Sequence, residues 1–311
     1  MRVHLPMAVR FAPLLGLAGC VPQSAEPEPA PPPVTTRAAP VVQPVATPSR
    51  TPIPAEPVRR NLAFQGQLEQ GGWIRGTMPS NTVDAALGDT EIAFDEEGRF
   101  FAAFDRDQGP SIRLSARLES GETTTRDLVI APREWDIERV NVARRPGGAS
   151  EAFMARRMPE LEAIYLARQK ETGAQGWRQD FIWPATGRIS GRFGSQRIYR
   201  GSEAGSYHSG IDIATGGSGS PFVAPADGVV VLAVTDFSLE GQLLIVDHGQ
   251  GLNSAFLHAS RLLVSEGEQV RQGQHIGDIG SSGRATGPHL HWSLMWRDSR
   301  LDPLLFTGPM R

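Results

Sequence analysis

His208-Ser209-Gly210-Ile211-Asp212-Ile213 and, further along, Gly287-Pro288-His289-Leu290-His291-Trp292 are the stretches that decide how this chain reads. Residues at i and i+2 of a strand point to one face, so His289 and His291 would share a cleft while Leu290 and Trp292 turn the other way. One of the pair could bind a metal through a ring nitrogen while the other lies within reach of a water at that metal. Ile211-Asp212-Ile213 alternates in the same manner and leaves Asp212 on one face of an apolar strand. An unpaired buried carboxylate is costly, and a metal is one of the few partners that offsets the cost. Gly210 gives the backbone between His208 and Asp212 its freedom. Histidine and aspartate are zinc ligands, and three protein ligands leave the open fourth position of a catalytic site.

A water activated at a metal needs a proton acceptor. The H-E-x-x-H helix, which carries a glutamate for this purpose, is absent. Histidine is then the expected base, and His289 and His258 (in Ser254-Ala255-Phe256-Leu257-His258) are available for proton transfer and for steadying a developing oxyanion. Six of the seven histidines lie in the last third of the chain. Any one of them alone would read as a surface or core residue; their order and glycine-rich context make the case. His248, in a turn sequence between two strands, and His275, in a short strand, are read as structural.

The segment from about 187 to 301 resembles the lysostaphin/LytM-type zinc metallopeptidases, which cleave peptide cross-links of bacterial peptidoglycan. The matching stretches are Ser190-Gly191-Arg192-Phe193-Gly194-Ser195-Gln196-Arg197, His208 to Asp212, Ala224-Pro225-Ala226-Asp227-Gly228, Asp247-His248-Gly249, Phe256-Leu257-His258 and Thr286-Gly287-Pro288-His289-Leu290-His291. The resemblance implies one zinc per chain on His208, Asp212 and His291, with His258 and His289 as catalytic histidines and peptidoglycan peptides as substrate. The family usually has tyrosine two residues before the second catalytic histidine, where this chain has Phe256. Arg192, Gln196 and Arg197, ahead of the first ligand, are candidates for the substrate groove. Some relatives keep the fold, lose zinc ligands and activate cell-wall amidases; such a silent regulator is the alternative, and a degenerate member should lack part of the set that is present here.

At 311 residues and a net charge of −3, the chain can build two modest domains and shows no footprint for nucleic acid. Residues 1–20 read as a short export signal, with Arg2 and Arg10 ahead of an apolar run too short to span a bilayer. The run ends in Leu17-Ala18-Gly19-Cys20, which resembles a bacterial lipobox. Cys20 would then be lipidated and anchor the protein in the periplasm, with the outer membrane favoured because Val21 is not aspartate. Cys20 is the single cysteine, so no disulfide within the chain is possible. Residues 21–59 are rich in proline and alanine and read as a disordered tether.

Residues 60–143 show short alternating strands broken by turn signals, a small sandwich-like β module. Residues 144–180 form a linker, with a break at Arg144-Arg145-Pro146-Gly147-Gly148 and a connecting helix over 159–170. Proline suits its first turn, and Leu161, Ile164, Tyr165 and Arg168 share one stripe laid against the following domain. Residues 181–311 complete a mainly β chain with an antiparallel peptidase domain. The strand-turn-strand rhythm of 263–277 also occurs in lipoyl and biotinyl carriers, but those present a lysine on a hairpin, and the only lysine is Lys170.

Overall fold

In Ser111-Ile112-Arg113-Leu114-Ser115-Ala116-Arg117-Leu118, Leu114 and Ala116 are buried while Ser111, Arg113 and Arg117 face water. The strand therefore packs one face of the pleat, as alternation requires. The structure is a computed structural model and describes residues 61–143, 150–200 and 206–310. The export signal with Cys20, the tether and the break at 144–148 lie outside the described residues.

The first module holds strands β1 (Ala63–Gly66), β2 (Trp73–Thr77), β3 (Thr82–Leu87), β4 (Thr90–Glu91), β5 (Arg99–Ala103), β6 (Ser111–Leu118), β7 (Thr123–Val129) and β8 (Ile137–Ala143). They make a three-stranded sheet β1-β2-β5 and a four-stranded sheet β4-β3-β6-β7, both antiparallel. Ile74, Phe100, Leu114 and Leu128 are buried between them.

Helix α1 (Glu151–Arg168) follows. It starts earlier than the proline suggested. Ser150 caps it by accepting a hydrogen bond from the Phe153 N–H, and Pro159 falls inside the helix. The cap and the packing of the helix on the next sheet outweigh the one backbone hydrogen bond that proline removes.

The second domain contains β9 (Arg188–Gly191), β10 (Gln196–Arg200), β11 (Ile211–Ala214), β12 (Pro221–Val223), β13 (Gly228–Phe237), β14 (Gly241–Gly249), β15 (Leu252–Leu262), β16 (Gln269–Val270), β17 (His275–Ile279), β18 (Leu290–Trp296) and β19 (Ser299–Leu301). The main path is β16-β13-β14-β15-β18-β11-β9, antiparallel throughout. One face carries the core, with Phe222, Leu244, Phe256, Leu290 and Trp292. The other carries Val231, Leu243, Ile245 and Ala255, which pack with Ala167 of α1. The chain is thus mainly β, with two antiparallel parts and one α-helix among the described residues.

One expectation about a strand end changes: Asp247 and His248 belong to β14, and the turn is confined to Gln250-Gly251. Strand β15 runs through His258 to Leu262, pairing with β18 up to Leu257 and with β17 from Ala259. His258 sits at a register shift between β14 and β15 with φ of 65°, a left-handed conformation that bulges favour and that aims one side chain off the regular pleat.

Candidate metal centre

Strands β11, β18 and β15 lie side by side, and their register places Asp212, His291 and Leu257 in one row. Directly opposed residues of antiparallel strands point to the same face, so the apolar neighbours Ile211, Ile213, Leu290 and Trp292 all turn into the core. His208 enters from the loop before β11. Its Nε2 is 3.1 Å from Asp212 Oδ1 and 3.0 Å from His291 Nδ1, and His291 Nδ1 is 2.9 Å from the same Oδ1. Ligands around a tetrahedral zinc, at about 2.0–2.1 Å from the ion, stand roughly 3.3 Å apart. The three donor atoms are therefore already grouped as one ion would need them, and their chemistry suits zinc.

The surroundings fix this grouping. The Arg192 carbonyl is 3.0 Å from His208 Nδ1, so Nδ1 donates and Nε2 faces the cluster. A Cβ on Gly191 would sit 2.3 Å from Asp212 Oδ2, and one on Gly210 would sit 2.3 Å from the Trp292 carbonyl oxygen; these glycines let the chain pass this close. Burial would raise the Asp212 pKa, but hydrogen bonds and charge from His208 and His291 win and hold it well below the usual carboxylate range. For His208, burial pulls downward, yet Asp212 outweighs it and leaves the pKa raised. For His291, burial prevails and keeps the ring below its ordinary pKa. Asp212 therefore enters the cluster ionised, as a metal ligand must be.

His258 and His289 stand beside it, ring centroids 4.9 Å apart, with His258 6.4 Å from the His291 ring. The Nδ1 of His258 donates to the Ser282 carbonyl at 2.9 Å, and the Nδ1 of His289 to the Gly287 carbonyl at 2.8 Å. Each therefore keeps Nε2 for the cleft; that of His289 is 3.6 Å from Asp212 Oδ1. Burial lowers the His258 pKa, so the ring is neutral at pH 7 and able to accept a proton. Phe256 lies on the core side, stacked on Phe222 at 5.4 Å between centroids.

The other sequence candidates fall elsewhere. Arg192 is exposed, and it is its carbonyl that touches the site. Gln196 and Arg197 lie on β10, which pairs in parallel with β8, and Arg197 makes an exposed ion pair with Glu138 at 2.6 Å. None of the three lines the cleft of about 360 Å³ around the cluster. Glu240 and Arg284 do line it, and neither was singled out from sequence. They sit in turns that only the tertiary fold brings to the metal. His248 is wholly buried between the Asp227 carbonyl at 2.8 Å and Ser254 Oγ at 2.7 Å, and His275 pairs with Asp278 at 2.8 Å; both are structural.

Comparison with known proteins agrees with this geometry. Residues 206–303 match the model of Peptidase family M23. The chain is 35% identical over 123 residues to the Peptidoglycan DD-endopeptidase ShyA of Vibrio cholerae, a match covering 40% of this chain and 28% of that protein. It is likewise 35% identical over 130 residues to the Murein hydrolase activator NlpD of Escherichia coli, covering 42% of this chain and 31% of that protein. The matched stretch is thus under a third of either relative. A crystal structure of a putative peptidase M23 from Pseudomonas aeruginosa superposes with a TM-score of 0.55 at 24% identity, over 77% of this chain and 95% of that one, and shows the shared fold. Around its His208, Asp212 and His291 cluster, this chain carries a domain of peptidase family M23.

Proposed function

We propose that the protein is a zinc-dependent endopeptidase that hydrolyses peptide cross-links of bacterial peptidoglycan. The observation that carries this reading is the complete cluster: three metal-type donors within 4.8 Å of one another, with two further imidazoles turned toward them. Zinc held by His208, Asp212 and His291 would polarise the scissile carbonyl and make water a better nucleophile. His258 or His289, each with Nδ1 tied to a carbonyl, accepts a proton from the attacking water at Nε2 and, as the imidazolium so formed, returns it from Nε2 to the leaving amine. Peptidoglycan as substrate rests on the name of the relative from Vibrio cholerae. Export and lipid attachment at Cys20 are proposed from the lipobox-like Leu17-Ala18-Gly19-Cys20 and are checked by palmitate labelling, which Cys20→Ser should abolish.

The test is incubation of the full chain with purified sacculi, with released fragments followed by mass and zinc measured in parallel. The parent should bind one zinc and release peptides cut at cross-links; His291→Ala should do neither. His289→Ala should keep the zinc and lose about 10²–10⁴ in rate, as expected for a general acid–base group. Similarity to a murein hydrolase activator favours one other reading, a silent regulator. Intact sacculi with the parent alone, degraded only when a cell-wall amidase is added, would establish that reading and sink ours.

A further inference from the structure

The sheet face that bears the metal cluster continues beyond it. From His291, β18 passes Ser293 and Met295 on the same face, a run of about 13 Å at roughly 3.3 Å per residue. A second cavity of about 290 Å³ lies along this run, floored by Ile245, Ala255 and Ser293 and walled by Leu161, Ile164 and Tyr165 of α1. Ser209, Glu240, Leu257 and His291 line both cavities, so the two adjoin along the sheet face. At the far end stand two guanidinium groups, Arg168 from α1 and Arg300 from β19.

We infer that this second cavity is a subsite for a carboxylate of the substrate peptide, held between Arg168 and Arg300. The inference rests on the peptidase reading above for the nature of the chain that lies in the groove. Among the described residues, neither arginine has a carboxylate within ion-pair distance of its side chain. The Arg168 Nε is buried with no hydrogen-bond partner, and its Nη1 abuts only the Met295 sulfur. Arg300 lies over the Tyr207 ring at 5.5 Å, and the nearby Asp105 is engaged by the Arg300 backbone N–H at 2.9 Å. The acidic residue on the cavity wall, Glu240, is committed elsewhere, accepting two hydrogen bonds from Arg157 at 2.6 and 2.8 Å. Burial, with Arg300 beside it, pushes the Arg168 pKa down to about 10 against the pull of the Glu240 charge, so the group stays cationic at neutral pH at a cost that Glu240 relieves only in part and a bound anion would relieve further. A paired guanidinium fork in an apolar pocket matches the two oxygens of a carboxylate. An extended peptide advances about 3.3–3.6 Å per residue, so a carboxylate roughly two to four residues from the bond held at His291 reaches the arginines.

The probes are a fluorescein-labelled stem tetrapeptide, L-alanyl-γ-D-glutamyl-meso-diaminopimelyl-D-alanine, and its fully amidated form, titrated into the full chain supplied with zinc. Anisotropy should show the free acid binding at least tenfold tighter than the amide. In Arg168→Met and in Arg300→Met the ratio should fall to near one while amide affinity and melting temperature hold. Because the arginines come from different elements, misfolding of one variant leaves the other to decide. Equal affinity for acid and amide in the parent overturns the subsite, as does an undiminished ratio in a folded variant. Cross-links cut with no preference for the acid sink the subsite and spare the peptidase reading. Acid-selective binding without any cleavage does the reverse.

Discussion

At position 191 there is room for a hydrogen atom and nothing more. A methyl group there would stand 2.3 Å from Asp212 Oδ2 and 3.0 Å from His208 Cε1, so Gly191→Ala has to push a ligand away. We expect it to fold but hold zinc about 10–100-fold more weakly, the usual penalty for disturbing a residue that orients a metal ligand. Competition with a chromogenic chelator checks this; unchanged affinity would show that the cluster tolerates a shifted Asp212. His248 makes a different prediction. Burial lowers its pKa from 6.5 to about 4, so the unfolded state takes up its proton first as pH falls. Its contribution is full above pH 6.5 and is lost as pH drops toward 4, about 3 kcal/mol over that window. Urea unfolding at pH 7.5 and 4.5 should show a smaller loss in His248→Gln than in the parent. Equal losses would assign the acid sensitivity to other groups. At this scale the sequence offered His208, Asp212, His289 and His291 as metal-type donors, and the resemblance to the lysostaphin/LytM-type metallopeptidases, not the spacing, implied the set His208, Asp212 and His291 that the fold groups together. Sequence did not reveal the groups that act through backbone atoms, such as the Arg192 carbonyl, which has no side-chain signature.

Helix α1 is fastened to the β13–β14 turn by a small polar network. Arg157 donates to Glu240 and Glu160, and Glu160 also accepts from the Ser238 hydroxyl. The Arg157 and Glu240 side chains are 9% and 13% exposed, so removing the cation leaves carboxylates with little water to replace it. Arg157→Met should cost about 3 kcal/mol and lower the melting temperature by roughly 6–12 °C for a chain of this size. A shift under 2 °C would mean that the helix is held by Ala167 and its apolar neighbours alone. The Glu160 pKa, brought down to about 2 against the effect of burial by Ser238 and Arg157, implies that this network persists until strongly acid pH. At this scale the stripe Leu161, Ile164, Tyr165 and Arg168 lines the second cavity, but Leu161 and Tyr165 are exposed, and the face that meets the sheet and its turn runs through Arg157, Glu160, Ile164 and Ala167. The helix start was not legible, because Pro159 looked like a first-turn residue while Ser150, the true cap, follows a glycine-rich break. The left-handed His258 was also illegible, since a bulge depends on which strands neighbour β15 and leaves no periodic trace.

The two β parts share one continuous core. Trp73 of the first module packs on Phe306 at 5.5 Å, Phe101 meets Trp296 at 6.5 Å, and Trp135 meets Phe193 at 5.7 Å. Arg133 reaches the buried Asp302 at 2.8 Å, and β8 adds a parallel strand to β10. We expect a single calorimetric unfolding transition, with van't Hoff and calorimetric enthalpies in agreement. Two resolved transitions would show that the module folds by itself and merely docks. Sequence alternation delivered both sheets and the mainly β class, yet it treated the parts as separate, because a shared core arises from aromatic residues distant in the chain. One of these contacts has a temporal side. The indole N–H of Trp73 donates to the Leu305 carbonyl at 2.8 Å, across 232 positions of sequence. Strand β2 is thus sealed by residues made much later, so a chain stalled between the two during synthesis or translocation leaves an aromatic face open to proteases until Leu305 and Phe306 arrive.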